Sequence, residues 1–242
     1  MTRGFFLAVA AVCYTVFFAT FLYLIAFVGD LPWVPVTVDR GPSAPVLLAV
    51  AINLGLIAAF GVQHSVMARP AFKALWTRIV PPALERSIYV LASSLVLILL
   101  YALWHPIPAV LWAMTGPAAW VLWALFFTGW GMVLLSTFLI NHFELFGLQQ
   151  VWLNLTGQAA RPPEFRTPFL YRLVRHPLYL GFLIAFWATP VMTYGHLLLA
   201  VGMTAYILIA IPIEEGDLID VFGTHYTDYK QRVGSLMPKF GR

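Results

Sequence analysis

Two groups of charged residues bracket one apolar stretch of this sequence. Residues 175–181 read RHPLYLG, and Glu214, Glu215, Asp217 and Asp220 follow the stretch just after Pro212. Pro177 suits the first position of a helix, where its missing N–H is not needed. A helix N-terminus has free N–H groups and positive dipole character. With Arg175 and His176 beside it, such a terminus attracts a carboxylate or phosphate. The four acids would attract a cation. If the chain folds back between them, a ligand bearing both an ammonium and a carboxylate could be held. The same residues also admit a structural reading. Arg175 marks a membrane boundary, His176 caps a helix, and the acids form surface ion pairs that contribute little. Further on, FGTHYTDYKQRV at 222–233 places Tyr226 and Tyr229 three residues apart, on one helical face. Packing of the tail would use the same spacing.

The elements that must position these groups are membrane helices. Of the 242 residues, 61% are hydrophobic and 10% charged, with mean hydropathy +0.85. Soluble domains carry about 25% charged residues, so the chain is expected to be an all-α polytopic membrane protein. A spanning helix needs about 20 apolar residues, and 5–28, 45–67, 87–104 and 117–140 qualify. The block 177–213 is punctuated by Pro190 and Gly195 and divides into a hairpin, 177–193 and 196–212. Each arm is roughly 25 Å long, marginal for a hydrocarbon core of about 30 Å. The first run is too long for the apolar core of a signal peptide and reads as the first span. With the N-terminus inside, thirteen of the fourteen Lys and Arg residues fall on that side and only Arg40 falls outside. This distribution predicts cytoplasmic N- and C-termini. The positive charge is thereby explained by topology and implies no nucleic acid. The single Cys13 excludes a Cys-based metal cluster, and no metal site is expected. Residues 1–242 read as one integral membrane domain, with 141–153 as an interfacial helix continuing the fourth span.

RHPLYLG, a short hairpin and EEGDLIDVFGTHYTDYKQRV together resemble the isoprenylcysteine carboxyl methyltransferase superfamily of membrane methyltransferases. Phospholipid methyltransferases are its more distant relatives. The resemblance implies S-adenosylmethionine as methyl donor, a methyltransferase domain whose cofactor part is mainly 141–242, and a cofactor site that includes His176, Tyr179 and Gly181, next to Arg175 as the expected anion-binding group. Glu214 and Glu215 become candidates for the donor's amino group. GWG at 129–131 resembles a glycine pair that phospholipid methyltransferases use near the cofactor, and it equally suits close packing through small residues. NHFELFGLQQVWL at 141–153 and FGVQHSVMARPAFK at 60–73 are similar to the methanethiol S-methyltransferase branch, the latter also to NnrU-like membrane proteins. That branch implies conversion of methanethiol to dimethyl sulfide.

Methyl transfer to a thiol is an in-line displacement that depends on positioning. The nucleophile is a thiolate, and free cysteine thiols titrate only near ~8.5, so a base or a nearby cation should help. Candidate catalytic residues are His64, His142, Glu144 and Tyr226, the last paired with Asp217 or Asp228. The expected partners are a small volatile thiol and membrane lipid, with the active site on the cytoplasmic face of a bacterial inner membrane. Alternative acceptors are hydrogen sulfide, a prenylcysteine carboxylate or a phospholipid amine. An alternative class, a haem-binding or ion-conducting membrane protein, finds only the six scattered histidines in its favour.

Overall fold

The computed structural model describes residues 2–160 and 162–239. Arg161 and Arg242, two of the basic residues used to orient the chain, lie outside the described residues. The protein is all-α and polytopic. In chain order the helices are α1 (Arg3–Val28), α2 (Val46–Ala68), α3 (Pro70–Trp76), α4 (Glu85–Leu103), α5 (Gly116–Ile140), α6 (His142–Leu145), α7 (Leu148–Thr156), α8 (Pro177–Trp187), α9 (Tyr194–Phe222) and α10 (Thr224–Arg232). Two short paired strands, β1 (Val110–Ala113) and β2 (Val191–Thr193), are the sheet among the described residues. Five helices there, α1, α2, α4, α5 and α9, are long and apolar enough to cross a membrane. Inside lipid every backbone polar group must be satisfied within its own segment, which favours helices. Their exposed side chains are correspondingly apolar, such as Leu22 on α1, Leu54 on α2, Ile98 on α4 and Phe138 on α5.

The C-terminal hairpin is asymmetric, unlike the two equal arms expected. Its first arm, α8, has 11 residues, about 16 Å, and stops well short of a bilayer's width. The second, α9, has 29 residues, about 43 Å. Pro212 lies inside α9 and does not end it. The ring removes the N–H that would bond the carbonyl of Leu208, yet the helix resumes. The acids at 214–220 therefore stand on a helix and not in a loop. The expected continuous helix over 141–153 is also broken. Asn141 leaves α5 in an extended conformation, α6 is a single turn, and Gly147 at φ +87 starts a new direction.

The chain divides into two compact units: residues 1–109, 142–161 and 193–199, and residues 110–141, 162–192 and 200–242. In the first, α4 packs against α1 and α2, and α7 packs against α1. Val151 of α7 meets Ala10 and Leu84 in a small apolar cluster. Gly147 permits close approach of the 142–147 segment to α4, because a Cβ there would lie 2.6 Å from the backbone nitrogen of Ser87. The outer loop is pinned by Trp104, whose Nε1 donates to Val38 O at 3.0 Å, and by Thr193, which donates to Asp39. Burial pushes the Asp39 carboxyl up to about 6, with Asp30 adding to the shift and the Thr193 hydrogen bond opposing it.

In the second unit α5 and α8 cross at glycines. A Cβ on Gly129 would lie 2.7 Å from the carbonyl oxygen of Gly181, and one on Gly181 would lie 2.7 Å from that of Gly129. Small residues allow such backbone contact in membranes. The hairpin tip is tied to the 110–114 segment through Met114 N to Pro190 O and Trp112 Nε1 to Thr189 O.

Candidate functional site

The fold-back brings Arg175 and His176 against the acidic pair of α9. Backbone pairing sets the register: Val174 forms a parallel bridge with Gly234, Arg175 N donates to Gly234 O and His176 N to Ser235 O. His176 is the N-cap residue of α8. Arg175 Nε donates to Glu215 Oε1 at 2.8 Å, and Arg175 Nη2 lies 2.7 Å from the same oxygen. Arg175 Nη1 donates to the carbonyls of Lys230 and Val233. His176 Nε2 lies 3.0 Å from Glu215 Oε1, and Lys230 Nζ lies 2.7 Å from Glu215 Oε2. Arg175, His176 and Glu215 are buried.

This arrangement separates two residues that the sequence left equivalent. Glu215 is saturated by Arg175, His176 and Lys230. Glu214 is its less committed neighbour. Its Oε2 is buried without a hydrogen-bond partner among the described residues, and His176 Nδ1 stands 4.0 Å away. The Tyr226 hydroxyl is likewise buried without a hydrogen-bond partner there. An orphaned carboxylate oxygen and an orphaned hydroxyl in one cluster make a polar cradle with places for hydrogen bonds from a cation. Arg175, in contrast, spends its guanidinium on protein groups, although the sequence offered it as the anion-binding group.

Aromatic rings enclose the cluster. His176 stacks on Tyr179 with centroids 5.6 Å apart. Phe165 meets Tyr226 and Tyr229 edge-on at 6.1 and 5.4 Å, and the Tyr229 hydroxyl donates to Tyr171 O. Burial raises the Tyr226 hydroxyl well above the ordinary phenol range, and Glu215 and Glu214 add to the shift. Burial pushes Tyr229 up to about 12 and raises Tyr171, with Glu214 contributing. These hydroxyls keep their protons at neutral pH. Gly181 sits at the α5/α8 crossing against Gly129. Asp217 is half-buried on α9, one turn from the pair, and Asp228 is exposed on α10.

The other sequence-derived candidates lie in the first unit. Tyr14 Oη is 2.8 Å from His142 Nε2, and Phe146 lies edge-on to the ring at 4.8 Å. Burial lowers the His142 pKa. Glu144, next on α6, is exposed. His64 on α2 meets α4: Ser93 Oγ is 3.2 Å from Nδ1, and Tyr89 Oη is 3.0 Å from Nε2. Arg86 lies over the Tyr89 ring at 5.1 Å and donates Nε to Leu145 O at 2.7 Å. Lys230, Phe165, Tyr171, Tyr14, Tyr89, Ser93 and Arg86 were not singled out by the sequence. Their partners are far away along the chain, and no local spacing announces them. Among the described residues no His, Cys, Asp or Glu group has metal-site geometry.

Comparison with known proteins adds the chemistry. The chain is 55% identical to methanethiol S-methyltransferase of Mycobacterium tuberculosis over 229 residues, covering 94% of this chain and 93% of that protein. It is 55% identical to methanethiol S-methyltransferase 1 of Bradyrhizobium diazoefficiens over 93% of this chain and 79% of that protein. Human nurim is 34% identical over 77% of this chain and 72% of its own length. No family model matches the chain. No solved structure matches it.

Proposed function

The chain belongs to the methanethiol S-methyltransferase family and is an enzyme of the methyltransferase class, and from that premise we propose that it methylates methanethiol to dimethyl sulfide with S-adenosylmethionine as donor. The single observation carrying the site assignment is the pair of orphaned buried atoms, Glu214 Oε2 and Tyr226 Oη, beside the Arg175–His176–Glu215 cluster. S-adenosylmethionine presents an ammonium, which fits the Glu214 carboxylate, and it supplies an activated methyl on a sulfonium.

The chain's own residues divide the work. Glu215, Arg175 and Lys230 lock α9 to the start of α8 and to the tail, and so fix the position of Glu214. Tyr226 offers a protonated hydroxyl. Tyr179 and Phe165 bring ring faces, which favour cations by about 0.5–2 kcal/mol each when water is excluded. Hydrogen sulfide is a smaller acceptor of the same chemistry. The bacterial source of the named methanethiol methyltransferases suits a bacterial inner membrane, and the basic-residue distribution supports a cytoplasmic orientation of this cluster.

The test is binding of S-adenosylmethionine to the purified full-length protein by calorimetry, together with headspace detection of dimethyl sulfide when methanethiol is supplied. Glu214→Gln should weaken donor binding about 10-fold or more, the loss of one charge-assisted hydrogen bond. Unchanged donor affinity in Glu214→Gln and Tyr226→Phe together would remove the site assignment.

A further inference from the structure

Helix α3 turns its apolar residues outward. Ala71, Ala74 and Leu75 are exposed, whereas Phe72, Lys73 and Trp76 are half-buried. Leu75 is 59% exposed, and Ile79, four residues on, is 79% exposed. A helix at an aqueous surface keeps its apolar stripe toward the protein and its polar face outward, so this face is built for a neighbour other than water. Its setting supplies one. The 23 residues of α2 give about 35 Å, just over a hydrocarbon core of about 30 Å. Only Arg69 separates α2 from α3, and α4, the next span, starts at Glu85. The segment 69–84 therefore stays at the membrane surface. Its backbone closes on itself there: Lys73 N donates to Arg69 O, Thr77 N to Lys73 O, Arg78 N to Leu75 O and Val80 N to Trp76 O. The Thr77 hydroxyl donates to Lys73 O at 2.8 Å. Val80 packs against the cluster of Leu84, Ala10 and Val151, which sets the side that faces inward. The segment carries Arg69, Lys73 and Arg78, and no acid lies between Asp39 and Glu85.

We propose that the segment 69–80 is a binding surface for anionic phospholipid. Ala71, Ala74, Leu75 and Ile79 enter the boundary of the acyl chains, and Arg69, Lys73 and Arg78 meet lipid phosphates in the headgroup layer. Apolar side chains interleaved with Lys and Arg are the pattern of an interfacial helix, and anionic lipids gather at basic stretches beside a span. Trp76 stacks on Phe72 with centroids 5.9 Å apart and anchors the helix at headgroup level. Arg69 Nε donates to Ser65 O at 3.3 Å, which ties the end of α2 to the same layer. A lipid surface suits this face better than a soluble protein, because both flanking helices enter the membrane directly.

The test uses the full-length protein with its single cysteine replaced, Cys13→Ala, and a bimane fluorophore attached at Leu75→Cys. It is reconstituted in vesicles of phosphatidylcholine and phosphatidylglycerol in equal parts, with bromine on the acyl chains of one lipid or of the other. Quenching by each brominated lipid gives their relative association at that position. Phosphatidylglycerol should be preferred about 5-fold or more, which corresponds to ~1 kcal/mol. Raised salt should weaken the preference. Arg78→Gln should lower it, and Arg69→Gln, Lys73→Gln and Arg78→Gln together should bring it near unity. The same fluorophore at Leu47→Cys, at the other end of α2, where the side chain is 83% exposed, should be quenched equally by both lipids. No quenching by either lipid at Leu75→Cys puts the segment in water and overturns the proposal. Equal quenching by the two lipids there overturns it, as does an equal preference at Leu47→Cys. A preference that survives the triple substitution also overturns it. If the triple variant does not fold, a preference that neither Arg78→Gln nor salt reduces has the same force. The readout needs neither methyl donor nor acceptor, so its outcome is separate from that of the activity assay.

Discussion

Glu215 meets Arg175, His176 and Lys230 at once, whereas Glu214 Oε2 has no hydrogen-bond partner among the described residues. The two adjacent acids should therefore respond differently to mutation. Glu215→Ala leaves a guanidinium buried without its counter-charge, which costs about 3–5 kcal/mol, and thermal unfolding of the ligand-free protein should show a large drop. Glu214→Gln should leave that transition nearly unmoved. Tyr226→Phe removes a buried hydroxyl that lacks a partner, a change that is neutral or stabilising in the free protein. Its unfolding midpoint should hold or rise while donor affinity falls. Asp39 gives a pH test. Its folded-state pKa, raised by burial to about 6, lies above the ordinary carboxylate value of about 4. The folded state thus binds the proton more tightly, and the associated stability is present below about pH 4 and lost as pH rises through about 6. The unfolding midpoint of wild type should fall relative to Asp39→Asn across that window.

At the scale of elements, hydropathy alone located α1, α2, α4 and α5 to within a few residues, because lipid demands long apolar helices with internally satisfied backbones. It misjudged the hairpin. Pro212 and the acids behind it look like the end of a helix in sequence, yet α9 carries them on. The reversal at Gly147 was invisible, since it packs on Ser87, 60 residues away. The Tyr14–His142 contact spans 128 residues and had no local signal at all. The meeting of 175–176 with 214–215 was legible, because a hairpin must return to the side it left. Two glycines test the element-level account. Gly116 and Gly147 both have positive φ, but only Gly147 is crowded. Gly116→Ala should cost about 1–2 kcal/mol for the left-handed backbone. Gly147→Ala should cost more and should also lower activity, because it displaces the segment that carries His142 and receives Arg86. Equal unfolding midpoints for the two variants would contradict this.

For the molecule as a whole, family membership and the membrane helices give the enzyme class and its setting. The cluster around Glu214 and Tyr226, with its two buried atoms that lack hydrogen-bond partners, is where the proposed cationic methyl donor would sit. The sequence conveyed that cluster through its charged motifs. It offered His64 only as one basic candidate among several, because Tyr89, Ser93 and Arg86 join it by folding. The most direct measurement supplies the purified full-length protein with methyl-labelled S-adenosylmethionine and unlabelled methanethiol, and follows the headspace by mass spectrometry. The account predicts singly methyl-labelled dimethyl sulfide, formed in proportion to enzyme and lost in Glu214→Gln at low donor concentration. Label that appears in a lipid or prenylcysteine product, with none in dimethyl sulfide, would contradict it.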